Sequence, residues 1–158
     1  MGTTHSAAYL IGFKKTWNSG NEVLYDLTTE ITKTTQSPDR LVREAGDWYT
    51  HSYIAEGYTN QNQIMGVGAG LGTNLQTVQI NRFQKKHVWG ASFEHIERKP
   101  HLMTNTWNDW VIGIQHKRRY EKLFVDAQLQ FVNSNNYAWD KGKNTFNLFA
   151  RLGLTYTW

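Results

Sequence analysis

Hydrophobic and polar residues alternate along most of this chain, most regularly at its end. From Phe146 to Trp158, the residues Phe146, Leu148, Ala150, Leu152, Leu154, Tyr156 and Trp158 take every second place, and Asn147, Phe149, Arg151, Gly153, Thr155 and Thr157 lie between them. Side chains alternate faces along a strand, so the pattern predicts a strand that is apolar along one whole face. Leu123 to Val132 repeats it, with Leu123, Val125, Ala127, Leu129 and Phe131 set against Phe124, Asp126, Gln128, Gln130 and Val132. Further strands are expected at Ala8–Trp17, Val23–Thr32, Leu75–Phe83 and Val88–Glu97. Another is marked by Trp110, Ile112 and Ile114, and a glycine-rich one by Ile64–Leu71. That makes eight candidate strands in a single domain, 1–158. No window carries a 3.6-residue period and no solenoid repeat is visible.

The connections are uneven. Asn18–Asn21, Gly72–Asn74, Gln84–Lys86 and Lys117–Lys122 read as turns. Thr35–Glu44, Arg98–Asn108 and Asn133–Lys143 read as longer loops, and Asp47–Gln63 is aromatic without a clean period. If the last strand ends on the periplasmic side, the loops 98–108 and 133–143 lie outside and the turns 84–86 and 117–122 inside, as barrels of the outer membrane require. The same count puts Gly72–Asn74 outside and the long Thr35–Gln63 stretch inside, against that rule.

An unbroken apolar face on a terminal strand invites aggregation in water but suits contact with lipid. The terminal aromatic, with Tyr156 and the leucines before it, resembles the C-terminal signature of bacterial outer-membrane β-barrels. The resemblance implies that this strand contacts the barrel assembly machinery. The expected fold is therefore an all-β, antiparallel outer-membrane β-barrel of about eight strands, or the C-terminal part of a larger one. A length of 158 residues suits eight strands of roughly 9–11 residues each. No run approaches the roughly 20 apolar residues of a spanning helix. Aromatic residues make up 14% of the chain, which suits interfacial girdles. The N-terminus, Met1–Ser6, carries no basic segment followed by an apolar stretch. The expectation is a chain whose secretory signal has been removed, or a C-terminal piece of a longer protein.

One constellation carries a family resemblance. Asp47, Trp48, Tyr49, Thr50, His51, Tyr53, Gly57, Tyr58, Thr59 and Asn60, followed by Ile64-Met65-Gly66, resemble the capsule assembly protein family of Wzi type. The resemblance runs from about Gly46 to the C-terminus. It implies a larger outer-membrane barrel, of which this chain supplies the C-terminal part, and a lectin-like role in holding capsular polysaccharide or exopolysaccharide. The residues themselves fit that role. Trp48, Tyr49, Tyr53 and Tyr58 can stack on sugar C–H faces, while Asp47, His51 and Asn60 can hydrogen-bond hydroxyls. They equally suit loop packing or an interfacial girdle. Trp107, Tyr137 and Trp139 carry the same two readings, with the girdle preferred for Trp107. Asp126 and Arg151 face inward on adjacent strands and are expected to form an ion pair across the lumen.

Other chemistries find less in the sequence. The neighbours His51 and Ser52, and Glu94 and His95, face apart on an extended chain, so neither gives a nucleophile within reach of its base. No enzyme, cofactor or metal site is expected: the 6 histidines are scattered and there are no cysteines. The net charge of +4 is mild. The basic run Lys117-Arg118-Arg119 is expected to lie near anionic lipid headgroups or lipopolysaccharide, with no nucleic-acid partner. A soluble ligand-holding barrel has an apolar lumen, the reverse of the polar row Asp126, Gln128, Gln130, Asn147 and Arg151. The runner-up is a structural barrel or small porin with no sugar ligand.

Overall fold

The computed structural model describes residues 8–20, 22–35, 59–60, 63–64, 70, 72–100 and 103–158. They form an all-β fold. The strands are β1 (Tyr9–Asn18), β2 (Val23–Lys33), β3 (Thr59–Asn60), β4 (Gln63–Ile64), β5 (Thr73–Gln84), β6 (His87–Arg98), β7 (Trp107–Tyr120), β8 (Leu123–Asn135) and β9 (Thr145–Tyr156). One turn of 3-10 helix, Tyr137–Trp139, precedes β9. Seven strands make one antiparallel sheet in the order β1-β2-β5-β6-β7-β8-β9, while β3 and β4 form a separate two-residue ladder. The sheet is open, with β1 and β9 as its edges, and fits a partial barrel. Each of its strands has 10 to 14 residues, enough to cross a bilayer when tilted.

Direct pairing of β2 with β5, from Val23 opposite Gln84 to Lys33 opposite Asn74, decides the topology. No strand intervenes between them in the sheet. The expected strand at Ile64–Leu71 falls mostly outside the described residues, apart from Ile64 in β4 and Gly70. The expected turn at Gly72–Asn74 is corrected to Gly72 alone, because Thr73 and Asn74 already belong to β5. These changes alter the strand parity. The connections 19–22, 85–86 and 121–122 now share one end of the sheet, and 34–72, 99–106 and 136–144 share the other. The stretch 35–63 thus belongs to a connection that leaves from the long-loop end and returns there, which removes the conflict in the count. β1 and β9 both start at this end and run toward the short turns.

The run Lys117–Tyr120 is strand and not turn, and β8 extends through Asn135. A backbone ladder needs no apolar side chains, so charged residues continue it where composition alone suggests a loop.

Paired residues share a face, and the register sorts the sheet into two. On one face lie Ile11 and Phe13, Leu27 and Ile31, Val78 and Ile80, Ala91 and Phe93, Ile112 and Ile114, Leu129 and Phe131, and Leu148, Ala150 and Leu152. Tyr9, Trp110 and Phe146 flank this belt at the long-loop end. Trp17, Tyr25, Trp89, Tyr120 and Tyr156 flank it at the short-turn end. The opposite face carries Lys14, Asp26, Glu30, Thr77, Gln79, Asn81, Ser92, Glu94, Gln115, Lys117, Asp126, Gln128, Gln130 and Arg151.

Burial is inverted relative to a water-soluble domain. Among the described residues, the only buried apolar side chains are Val23 and Val111, whereas Asp26, Thr32, Thr34, Thr73, Asp109 and Ser134 are buried. Ile11 is 67% exposed and Leu152 68%. A soluble monomer rarely exposes an apolar patch beyond a few hundred Å², and this one spans all seven strands.

Candidate functional site

Chemically active side chains gather at the long-loop end. The insertion 34–72 is closed at its base: Thr34 donates from both its backbone N–H and its hydroxyl to Thr73 O at 2.8 Å, and Thr73 N–H returns a bond to Thr34 Oγ1 at 3.0 Å. Thr35 Oγ1 adds a bond of 2.7 Å to Asn74 Oδ1. Lys99 N–H donates to Gly72 O at 2.8 Å, tying the insertion to the β6–β7 loop. Gly72 has φ +55°, and a Cβ there would meet Pro100 Cα at 2.7 Å, so the close approach requires glycine.

The other two long loops interlock. Asn136 Nδ2 donates to Thr106 O at 3.0 Å, Asn105 Nδ2 to Trp139 O at 3.2 Å, and Trp139 Nε1 to Arg98 O at 3.2 Å. Trp107 stands at the centre. Tyr137 and Trp139 pack edge-on against it with ring centroids 5.1 Å and 5.2 Å away, and the Arg98 guanidinium lies 4.5 Å from its ring centre. Such edge-to-face and cation–π contacts fix ring orientation as well as burying area. Asp109 joins the group by pairing with Arg98 and accepting from Trp107 Nε1 at 2.6 Å. Lys143 Nζ sits 5.7 Å from the Tyr137 ring centre. Asn136, Ala138 and Trp139 all have positive φ, at 52°, 54° and 62°. Left-handed backbone at a non-glycine residue is strained, and such strain persists only where surrounding contacts hold it. Here those contacts are the bonds of Asn136 and Trp139.

Trp107, expected as a girdle residue, instead lies on the polar face with Asp109 and Gln115. Parity explains the correction: Trp110, three places on, faces the apolar side. Arg98 opens the expected loop 98–108 and Asp109 follows just beyond it, and neither stands out as a candidate in the sequence. The spacing of Trp107 and Asp109, two apart on one strand face, was the available signal.

Of the expected sugar-binding residues, Asp47, Trp48, Tyr49, His51, Tyr53 and Tyr58 lie outside the described residues. Asn60 belongs to β3 and pairs through the backbone with Gln63. Arg151 Nη2 and Asp126 Oδ2 are 3.1 Å apart on the polar face, and Lys117 Nζ reaches the same oxygen at 3.8 Å. A second pair, Lys14 with Asp26 at 3.0 Å, lies on the same face of β1 and β2. Between them is a recess of about 130 Å³ lined by Gln79, Ser92, Glu94, Gln115, Gln128 and Gln130. Ser92 is on this face, whereas His87, His95 and His116 are on the other; His95 stacks on Trp110 at 4.0 Å.

No family model matches the chain, and no curated protein or solved structure shows significant similarity to it.

Proposed function

We propose that this chain forms a wall of a bacterial outer-membrane β-barrel, with its apolar face against lipid and its polar face against water, and that its long-loop end binds surface polysaccharide. The observation that carries the membrane part is the inverted burial: a belt of Ile, Leu, Val and Phe is exposed while Asp26, Thr32, Asp109 and Ser134 are buried. In water such a surface aggregates; in hydrocarbon it is the stable arrangement. The belt has suitable dimensions. Trp110 and Tyr120 are ten positions apart on β7, about 34 Å along the strand, or about 25 Å across a bilayer at a tilt near 45°.

The saccharide reading is the role implied by the Wzi-type resemblance. It is supported by the loop cluster at the end where the insertion 34–72 also emerges. Tyr137 offers an exposed ring, and Arg98, Asp109 and Lys143 offer charges. Aromatic rings with flanking hydrogen-bonding groups suit sugar rings. The test is glycan binding by the protein in detergent micelles. Tyr137→Ala and Trp139→Ala are expected to weaken capsular polysaccharide binding about ten-fold, and unchanged binding in both would sink the saccharide reading. A second reading, a structural barrel or small porin without sugar ligand, is favoured by the polar face itself. Lys14 pairs there with Asp26, and Lys117 and Arg151 with Asp126, beside the further carboxylates Glu30 and Glu94, as suits the lining of an aqueous passage. Single-channel conductance in a planar bilayer without glycan binding would select it.

A further inference from the structure

We propose that the short-turn end of the apolar face binds the headgroup of an anionic glycerophospholipid, with phosphatidylglycerol as the species to test. The inference rests on the membrane reading above and adds a specific lipid contact.

Two register rows place the basic residues. Arg82, Trp89 and His116 lie opposite one another across β5, β6 and β7, and Gln84, His87 and Arg118 form the next row. All of these positions share the apolar face. Arg82, His87, His116 and Arg118 therefore cluster at its short-turn margin, where the belt meets the girdle. His116 stacks on Trp89 at 4.0 Å, and the Arg118 guanidinium lies 4.4 Å from the Tyr120 ring centre. A recess of about 440 Å³ opens beside them, lined in part by Lys86, Arg118, Arg119, Lys122 and Tyr156, with Glu121 as its one carboxylate.

Among the described residues, no carboxylate pairs with Arg82, Lys86, Arg118, Arg119 or Lys122, and Glu121 of the recess contacts none of them at ion-pair distance. Arg82 donates to Gln84 at 2.6 Å, and among the described residues the shielded His116 Nε2 has no partner. The polar face differs, since Asp26 and Asp126 there answer Lys14, Lys117 and Arg151. So does the long-loop margin of the apolar face. It carries Asn74, Gln76, His95 and Trp110, with Lys33 and Glu97 offsetting each other in sign. Unpaired cations at the edge of a hydrocarbon-facing surface are costly unless an anion meets them. A phosphodiester is the anion present at that depth, and guanidinium groups recognise its oxygens by charge-assisted hydrogen bonds. Acyl chains below the headgroup would run over Val125, Leu152 and Leu154, which share the face.

The test uses the full 158-residue chain reconstituted into vesicles of phosphatidylcholine alone and of phosphatidylcholine with phosphatidylglycerol in equal parts. Infrared dichroism reads whether the strands cross the bilayer, and native mass spectrometry of gently extracted protein reads which lipid is retained. Strands are expected to cross both bilayers, and phosphatidylglycerol is expected to be retained in preference to phosphatidylcholine. Arg82→Gln and Arg118→Gln should each reduce that preference about five-fold, the factor typical of one basic residue near an anionic surface. Lys141→Gln, at the opposite end, should leave it unchanged. Crossing strands with equal retention of both lipids, or a preference untouched by either arginine substitution, would overturn the lipid site and leave the membrane reading intact. Strands that cross neither bilayer would overturn both.

Discussion

Gln115 on β7 donates a hydrogen bond of 2.8 Å to Asn81 on β5, directly over Gly90 on the strand between them. The bond spans two strand spacings because Gly90 has no side chain. A Cβ there would lie 2.6 Å from Gln115 Cγ, closer than two carbons can approach. Gly90→Ala is therefore expected to cost about 1–3 kcal/mol by overpacking. Urea unfolding of the protein folded in lipid vesicles measures this. Gly12→Ala is the comparison: its Cβ would meet Thr29 O at an ordinary 3.6 Å and should cost nothing measurable.

Ile114 separates a lipid-facing sheet from a water-facing one. It sits near the middle of the apolar belt and is 46% exposed. In water, an exposed position tolerates Arg within about 0.5 kcal/mol. Facing lipid near the bilayer centre, Ile114→Arg should cost about 2–4 kcal/mol. Equilibrium folding into vesicles gives the number, with Gln128→Arg on the polar face expected to be nearly silent.

Trp107 and Trp110 lie on opposite faces of one strand. In variants retaining only one tryptophan, lipids brominated on their acyl chains should quench Trp110 strongly and Trp107 weakly. Equal quenching would contradict the face assignment. The assignment matters because it moves Trp107 from the expected girdle into the loop cluster.

Asp109 holds that cluster by accepting from both Arg98 and Trp107. It is 4% exposed. Asp109→Ala leaves the half-buried guanidinium and the indole N–H without their acceptor, and should cost about 2–3 kcal/mol. Asp109→Asn keeps a hydrogen-bond acceptor for Trp107 and should cost less. The same substitutions should broaden the Trp107, Tyr137 and Trp139 side-chain resonances in nuclear magnetic resonance spectra, because the rings lose the group that orients them.

The two faces of the sheet were legible in the sequence wherever period two ran unbroken, as in Leu123–Val132 and Phe146–Tyr156. A strand face follows from local chain geometry alone. The strand order around β2 was not legible, since the pairing of Lys33 with Asn74 spans an insertion whose length hides the contact. The bonds between Thr34 and Thr73 that close the insertion are likewise tertiary. The strand end at Lys117–Tyr120 is hidden in the sequence because charge resembles a turn signal, although the charges there are disposed alternately on both faces. The pairing of Arg151 with Asp126 could be anticipated from adjacency of strands, whereas the third partner, Lys117, depends on β7 reaching into the expected turn. Among the residues expected to hold sugar, the aromatic run 47–58 lies outside the described residues, and the loop cluster depends on contacts between connections distant in sequence.

β1 and β9 point the same way, and this sets a rule of arithmetic for closure. Around an antiparallel cylinder, arrows alternate up and down, so the count must be even. Seven arrows leave the first and last aligned. Brought together directly, they would form a parallel seam with slanted hydrogen bonds, unlike the other contacts of the sheet. An alternating cylinder requires an odd number of additional strands between them, the outermost running from the short-turn end to the long-loop end. Whichever polypeptide supplies such strands, its direction along the sheet is already dictated by the two edges it must meet.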